Sequence, residues 1–190
     1  PKVPVTILTG FLGSGKTTLL NRILSEEHGK RIAVIENEYG EVGIDQALVI
    51  NADEEIFEMS NGCICCTVRG DLVKVVKRLL ARKDEFDSII IETTGLADPA
   101  PVAQTFFVEP EVQKFARLDG IITLVDAKHI EAHLDEEKPE GAENEAVEQI
   151  AFADRILLNK VDLATDSEIK EVVKRIKGIN ALAPIYQTEN

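Results

Sequence analysis

Short apolar runs bounded by glycine and charge recur along this chain, and between them apolar residues return every third or fourth position. Val5-Thr6-Ile7-Leu8 is β-rich and reads as a buried strand, and Leu19-Leu20-Asn21-Arg22-Ile23-Leu24 has the spacing of an amphipathic helix. Arg31 to Ile35 predicts a second strand, and strand-like pieces fall near 47–50 and 55–59. Asp71 to Arg82 predicts a helix with apolar residues on one face and lysines on the other. Buried strands follow at Ser88 to Ile91, Gly120 to Val125 and Arg155 to Leu158, alternating with helical spacing near 101–107, 143–152 and 166–177. That alternation specifies an α/β fold with a mostly parallel central sheet and helices on both faces.

At 190 residues the chain is most economically one domain with a sizeable core, and 44% hydrophobic with 29% charged residues is a globular composition. A formal charge of −13 excludes a general nucleic-acid or anionic-membrane binder, because those surfaces repel it. No apolar run approaches the ~18 residues of a membrane span, and the first residues already enter a strand, so no targeting peptide is visible. All three cysteines, Cys63, Cys65 and Cys66, lie within four positions. An odd count so clustered is no disulfide framework and predicts a reducing compartment, cytoplasmic, or organellar if a leader has been removed. The chain stops at Thr188-Glu189-Asn190 soon after a strand-like Pro184-Ile185-Tyr186, which predicts a piece of a longer protein.

Between the first strand and the first helix the sequence fits G-x-x-x-x-G-K-[ST] without a mismatch, as Gly10-Phe11-Leu12-Gly13-Ser14-Gly15-Lys16-Thr17, followed by Thr18. Gly10, Gly13 and Gly15 let the backbone turn so that successive N–H groups and the helix N-terminus face phosphate oxygens. In such a loop Lys16 reaches the β- and γ-phosphates and the Thr17 hydroxyl ligates Mg²⁺.

Two further stretches follow strands, where parallel sheets place ligands. Ile91-Glu92-Thr93-Thr94-Gly95 offers a carboxylate for the Mg²⁺ shell or a water, and a Gly95 N–H for a γ-phosphate. In Asn159-Lys160-Val161-Asp162 a carboxylate can accept both N–H donors on one edge of guanine. Asp162 fits that role, the Lys160 stem covers the base, and Asn159 ties the loop together; adenine lacks the paired donors, so GTP is predicted over ATP.

Gly62-Cys63-Ile64-Cys65-Cys66 is the distinguishing feature. Thiolates bind soft or borderline cations, and a preceding turn lets two or three converge on Zn²⁺ or another divalent transition metal. Glu36 and Glu41, in the acidic loop after the second strand, are candidate additional ligands or simply solvated. Cysteines that only pack are the plainer alternative, and a catalytic thiol has no adjacent histidine to serve as base. His129 and His133 have i,i+4 spacing but read as a surface pair in acidic surroundings; His28 reads as a helix C-terminal cap. The acidic run from Ala132 to Glu148 reads as a solvated helix–loop–helix face.

Taken together and in order, the glycine loop, Glu36-Asn37-Glu38, Gly62-Cys63-Ile64-Cys65-Cys66, Glu92-Thr93-Thr94-Gly95-Leu96-Ala97-Asp98-Pro99 and Asn159-Lys160-Val161-Asp162 resemble the CobW-type metallochaperone GTPases, a branch of the P-loop GTPases. Asp119-Gly120-Ile121-Ile122 and Glu137-Lys138-Pro139 resemble the branch associated with zinc transfer. The resemblance implies a P-loop NTPase fold and GTP- and Mg²⁺-dependent binding of a transition metal. Cys65 and Cys66 would be the main ligands, with Cys63, Glu36 and Glu41 near them, and hydrolysis would drive delivery to a client metalloprotein. It also implies a further C-terminal domain, which these 190 residues do not include. Hydrolysis is expected to be slow, since no arginine finger is identifiable, with the role of Arg69 open. The rival readings are a regulatory GTP-binding module whose cysteines only pack and, with less in its favour, a small-molecule kinase.

Overall fold

The computed structural model of the chain describes residues 1–26, 29–37, 56–59, 67–93 and 99–189. In order these form β1 (Val3–Thr9), α1 (Lys16–Ser25), β2 (Ile32–Asn37), β3 (Ile56–Met59), α2 (Thr67–Leu80), β4 (Ser88–Glu92), α3 (Ala100–Val108) and α4 (Pro110–Phe115). There follow β5 (Ala116–Asp126), α5 (Ile130–Leu134), α6 (Glu145–Ala151), β6 (Arg155–Asn159), α7 (Asp166–Ile179) and β7 (Ile185–Gln187). The described strands make one sheet of seven in the order β3-β2-β4-β1-β5-β6-β7, and every neighbouring pair is parallel. The first strand in the sequence is therefore the central one.

Alternate residues of each strand face opposite sides, and both sides are covered. Val5, Ile7, Ala33, Ile35, Ile89 and Ile91 pack under Val76 and Leu79 of α2, Val102 and Phe106 of α3, and Val112 of α4. Leu8, Val34, Ile90 and Leu124 pack on the other side with Leu20 of α1. Towards β7, Ile156 and Leu158 join Ile130 of α5, Ile150 of α6, and Val172 and Ile176 of α7. Burial on both faces explains why Ser88-Ile89-Ile90-Ile91 is a continuous apolar run rather than an alternating one. Each such isoleucine contributes about 1.5–3 kcal/mol by leaving water. At α7, Thr165 accepts from the Glu168 N–H at 3.2 Å while the Glu168 carboxylate accepts from the Thr165 N–H at 2.8 Å, a reciprocal cap that fixes the helix start.

The sequence pattern misplaced some boundaries. β5 starts at Ala116, earlier than the predicted Gly120, because Arg117 and Asp119 interrupt the apolar run yet pair with each other at 2.5 Å on its exposed end. The register of β5 against β1 shifts between Val5 and Thr6, which accommodates the extension. α2 runs Thr67–Leu80 rather than 71–82, and α4, six residues that start at Pro110 behind the N-cap Glu109, gave no periodic signal. The strand expected near 47–50 lies outside the described residues. Among the described residues no helix is long and apolar enough to cross a membrane.

Candidate nucleotide site

The glycine loop leaves the C-terminal end of β1 and enters α1 at Lys16, with Gly15 as N-cap in a left-handed conformation at φ 107°. Two of its glycines answer to close neighbours. A Cβ on Gly10, at φ 145°, would overlap the Leu124 carbonyl and the Ser14 hydroxyl, and one on Gly15 would overlap the Asn159 side-chain amide. The Ser14 N–H donates to the Phe11 carbonyl at 3.1 Å, closing the turn. Lys16 is buried, and its ammonium donates to the carbonyls of Gly10 and, at 3.0 Å, Phe11. Thr17 is half-buried and Thr18 exposed in the first turn of α1.

Glu92 ends β4, in register with Leu8 of β1 on one side and Glu36 of β2 on the other. It is 8% exposed. Burial pushes its pKa up against the opposing pull of the Lys16 charge, and burial likewise lowers Lys16 despite Glu92. Thr9 Oγ1, Ser14 Oγ and Glu92 Oε2 are buried without a hydrogen-bond partner among the described residues. Three such oxygens beside an ammonium, a helix N-terminus and the Thr17 hydroxyl fit a polyphosphate accompanied by a hard, oxygen-seeking cation such as Mg²⁺.

The other end of the site follows β6. Asn159 is buried, and its Nδ2 donates to the Ser14 carbonyl at 3.1 Å. Lys160 is the one non-glycine residue with positive φ among the described residues, at 59°. Its ammonium donates to the Gly13 carbonyl and lies 3.5 Å from Asp126 Oδ2. The turn Val161–Leu163 then presents Asp162 to solvent. The two motifs that lie far apart in sequence are thus bonded to each other, Asn159 to Ser14 and Lys160 to Gly13.

Several participants carried no sequence signal. Asp126, at the end of β5, accepts from the N–H groups of Lys128 at 2.9 Å and His129 at 3.2 Å, and contacts His129 Nδ1 at 3.0 Å. Its burial raises the carboxyl pKa, but the bonds from His129 and Lys128 and the Lys160 charge outweigh that and hold it below the usual carboxylate range. Thr188, just past β7, places its hydroxyl 3.2 Å from Asn159 Oδ1. The two histidines are engaged separately: His129 caps α5 beside Asp126, while His133 stacks on Phe11 of the glycine loop, centroids 4.0 Å apart. His129 is thus exposed, as expected, whereas His133 is half-buried, and both line a cavity of about 380 Å³ together with Phe11, Gly13, Asp126 and Lys160. The acidic run does form two helices and a loop, tied down by Arg175 to Glu131 and Asp135 and by Lys138 to Glu136 and Glu145.

Gly95, Glu41, Cys63, Cys65, Cys66 and His28 lie outside the described residues, as do the side chains of Glu36 and Arg69. Among the described residues no group of three or more His, Cys, Asp or Glu side chains is arranged to hold a metal ion.

The profile of the CobW/HypB/UreG nucleotide-binding domain matches residues 4–187. The chain belongs to this family. It is 44% identical over 192 residues to the zinc-regulated GTPase metalloprotein activator 1 of Schizosaccharomyces pombe, covering 98% of this chain and 46% of that protein. To the zinc chaperone YjiA of Escherichia coli it is 45% identical over 188 residues, covering 97% of this chain and 57% of that protein. It thus spans about half the length of these curated relatives. The crystal structure of Zn(II)-bound YjiA GTPase superposes with a TM-score of 0.74 at 38% identity, over 98% of this chain and 57% of that one. At 18% identity, the GDP complex of signal recognition particle 54 kDa protein from Aeropyrum pernix has a TM-score of 0.58, over 100% of this chain and 42% of that one, a likeness of fold alone.

Proposed function

We propose that the chain is a P-loop GTPase domain, residues 1–190, of a carrier that binds a transition metal, zinc above others, and releases it to a client metalloprotein when GTP is hydrolysed. Lys16 would hold the β- and γ-phosphates, Gly10 to Thr18 would cradle them, and Asp162 would read guanine with Asn159 and Lys160 behind it. Mg²⁺, held at Thr17, would neutralise charge between the β- and γ-phosphates when bound. Glu92 would orient the attacking water or the Mg²⁺ shell, with the Gly95 N–H at the γ-phosphate. For the metal, Cys65 and Cys66 are the main ligands, with Cys63, Glu36 and Glu41 beside them.

The observation that carries this reading is the register of β2 on β4, in which Glu36 is paired with Glu92. Neighbouring parallel strands run about 4.8 Å apart, so a metal-side candidate and a phosphate-side candidate share one rung of the sheet. β3 ends at Met59 beside Asn37, four positions before Cys63. Glu58 is the β3 residue paired with Glu36, so at most about 18 Å of extended chain separates that rung from Cys63. A γ-phosphate that moves Glu92 acts on its neighbour directly, which is the coupling a nucleotide-gated metal site requires, and it must be reciprocal.

The test is a Zn²⁺ titration against a competing chelator, with GTP analogue and Mg²⁺ and then with GDP. Occupancy alone decides nothing, because a YjiA variant with one glutamate and two adjacent cysteines replaced by alanine still has a Zn(II)-bound structure. The difference between nucleotide states is the readout. We expect zinc to bind at least about tenfold tighter in the GTP state, a coupling of about 1.4 kcal/mol, and Cys65→Ser with Cys66→Ser to abolish the difference. Equal affinities would leave a regulatory GTPase whose cysteines only pack.

A further inference from the structure

We propose that His133 is a positioning residue for the phosphate loop: its imidazole, stacked on Phe11, fixes the carbonyl from which Lys16 is aimed at the β- and γ-phosphates. The inference rests on the reading of Gly10 to Thr18 as the phosphate cradle.

An ammonium has three donors. In Lys16 two of them go to the carbonyls of Gly10 and, at 3.0 Å, Phe11, so these two carbonyls set where the third one points. Gly10 is fixed by its close approach to the Leu124 carbonyl of β5, where even a Cβ would overlap. Phe11 needs another anchor. Of residues 10 to 13 it alone has a side chain that packs on the rest of the molecule, since Gly10 and Gly13 have none and Leu12 is 88% exposed.

That anchor is an aromatic stack. The Phe11 and His133 rings are both half-buried, with centroids 4.0 Å apart and planes within 19° of parallel. Phe11 also packs against the core cluster that includes Ile130 and Ile150. Aliphatic contacts are not directional, whereas a second ring laid flat on the first fixes its plane.

His133 is held in turn from α6 and α7. Its carbonyl accepts from Asn144 Nδ2 at 2.9 Å, and Asn144 Oδ1 accepts from the N–H groups of Ala146 at 3.0 Å and Val147 at 3.3 Å. One asparagine thus joins the end of α5 to the start of α6. Arg175 of α7 pairs with Glu131 and Asp135, two positions to either side of His133. A five-residue helix, too short to stand alone, is thereby made firm enough to present one ring to the loop.

Leucine offers apolar contact without a plane and phenylalanine keeps the plane, so the comparison is His133→Leu with His133→Phe. We expect His133→Leu to weaken GTP-analogue binding about fivefold, within what an aromatic pair supplies, and His133→Phe to stay within about twofold of the parent chain. GMP has neither phosphate that Lys16 reaches, so its affinity, measured by displacement of a fluorescent GDP, should not change in His133→Leu. Should His133→Leu melt below the assay temperature, Phe11→Leu breaks the same stack from the loop side and should give the same pattern. In a Phe11→Leu background His133→Leu should add nothing, since the imidazole acts through that ring. Unchanged GTP-analogue affinity in His133→Leu, an equal loss for GMP, a His133→Phe chain as weak as His133→Leu, or a full additional loss in the Phe11→Leu background overturns this inference alone. A Lys16→Ala chain that binds GTP analogue as tightly as the parent overturns the phosphate-cradle reading together with it.

Discussion

Lys16 and Lys160 both donate to carbonyls of the glycine loop, one from the helix that follows it and the other from the loop after β6. Their settings are opposite. Lys16 lies buried with Glu92, and burial shifts both toward their neutral forms. Lys160 shares the better-solvated Asp126, whose carboxylate is held ionised by His129, Lys128 and Lys160 despite its own desolvation. The base end therefore satisfies its own charges and is built before any ligand arrives. The phosphate end keeps buried charge and polar oxygens at a cost to stability, and that is where ligand charge can stabilise most. Binding and folding make different demands on the same loop.

Substitutions can break this comparison at either end. Lys16→Ala should weaken GTP-analogue binding about 100-fold or more, the loss of charge-assisted bonds to phosphate; calorimetric titration giving under about tenfold would show that the loop backbone dominates. At the base end, Asp126→Asn should lower stability by about 1–2 kcal/mol, a few degrees in Tm at this chain length, because the amide no longer holds Lys160 and His129. Glu92→Gln should shift Tm the other way, up by about 0.5–1 kcal/mol equivalent, while slowing hydrolysis. Equal signs for Asp126→Asn and Glu92→Gln in thermal melts would remove the distinction.

Acidification separates the same two groups. Glu92 has a folded-state pKa above its ordinary value, so its penalty applies at neutral pH and is relieved as pH falls through that raised value. Asp126 has a depressed pKa, so its contribution is complete above the ordinary carboxylate range and is lost only as pH falls through the lower value. Stability should thus pass through a gain before its loss, and Glu92→Gln should erase the gain.

Much of the phosphate end was legible because its chemistry is contiguous: a strand, three glycines, a lysine and a threonine follow one another. Asn159 to Asp162 was readable for the same reason, as was the all-parallel core from Ile89 to Ile91 and its like. Asp126 and Thr188 were not, because each acts on a residue distant in sequence and nothing nearby marks it. A lone aspartate after a strand, or a threonine near a terminus, has too many ordinary explanations. Phe11 looked like a loop residue until α5 brought His133 onto it, and α4 was too short to show a period. The cysteine motif is legible as chemistry, while its geometry lies outside the described residues.

The central place of β1 bears on how the molecule assembles. Val5 pairs with Ile89 and Thr9 with Thr123, so β1 meets its two neighbours only across separations of 84 and 114 residues (89 − 5 and 123 − 9). Parallel pairings across such spans close large loops and form slowly. The glycine loop can take its folded path only when Leu124 and Asn159, which shape its ends, have been made. A ribosome stalled before Leu124 would carry the most recognisable motif of the sequence in a chain that could not yet use it.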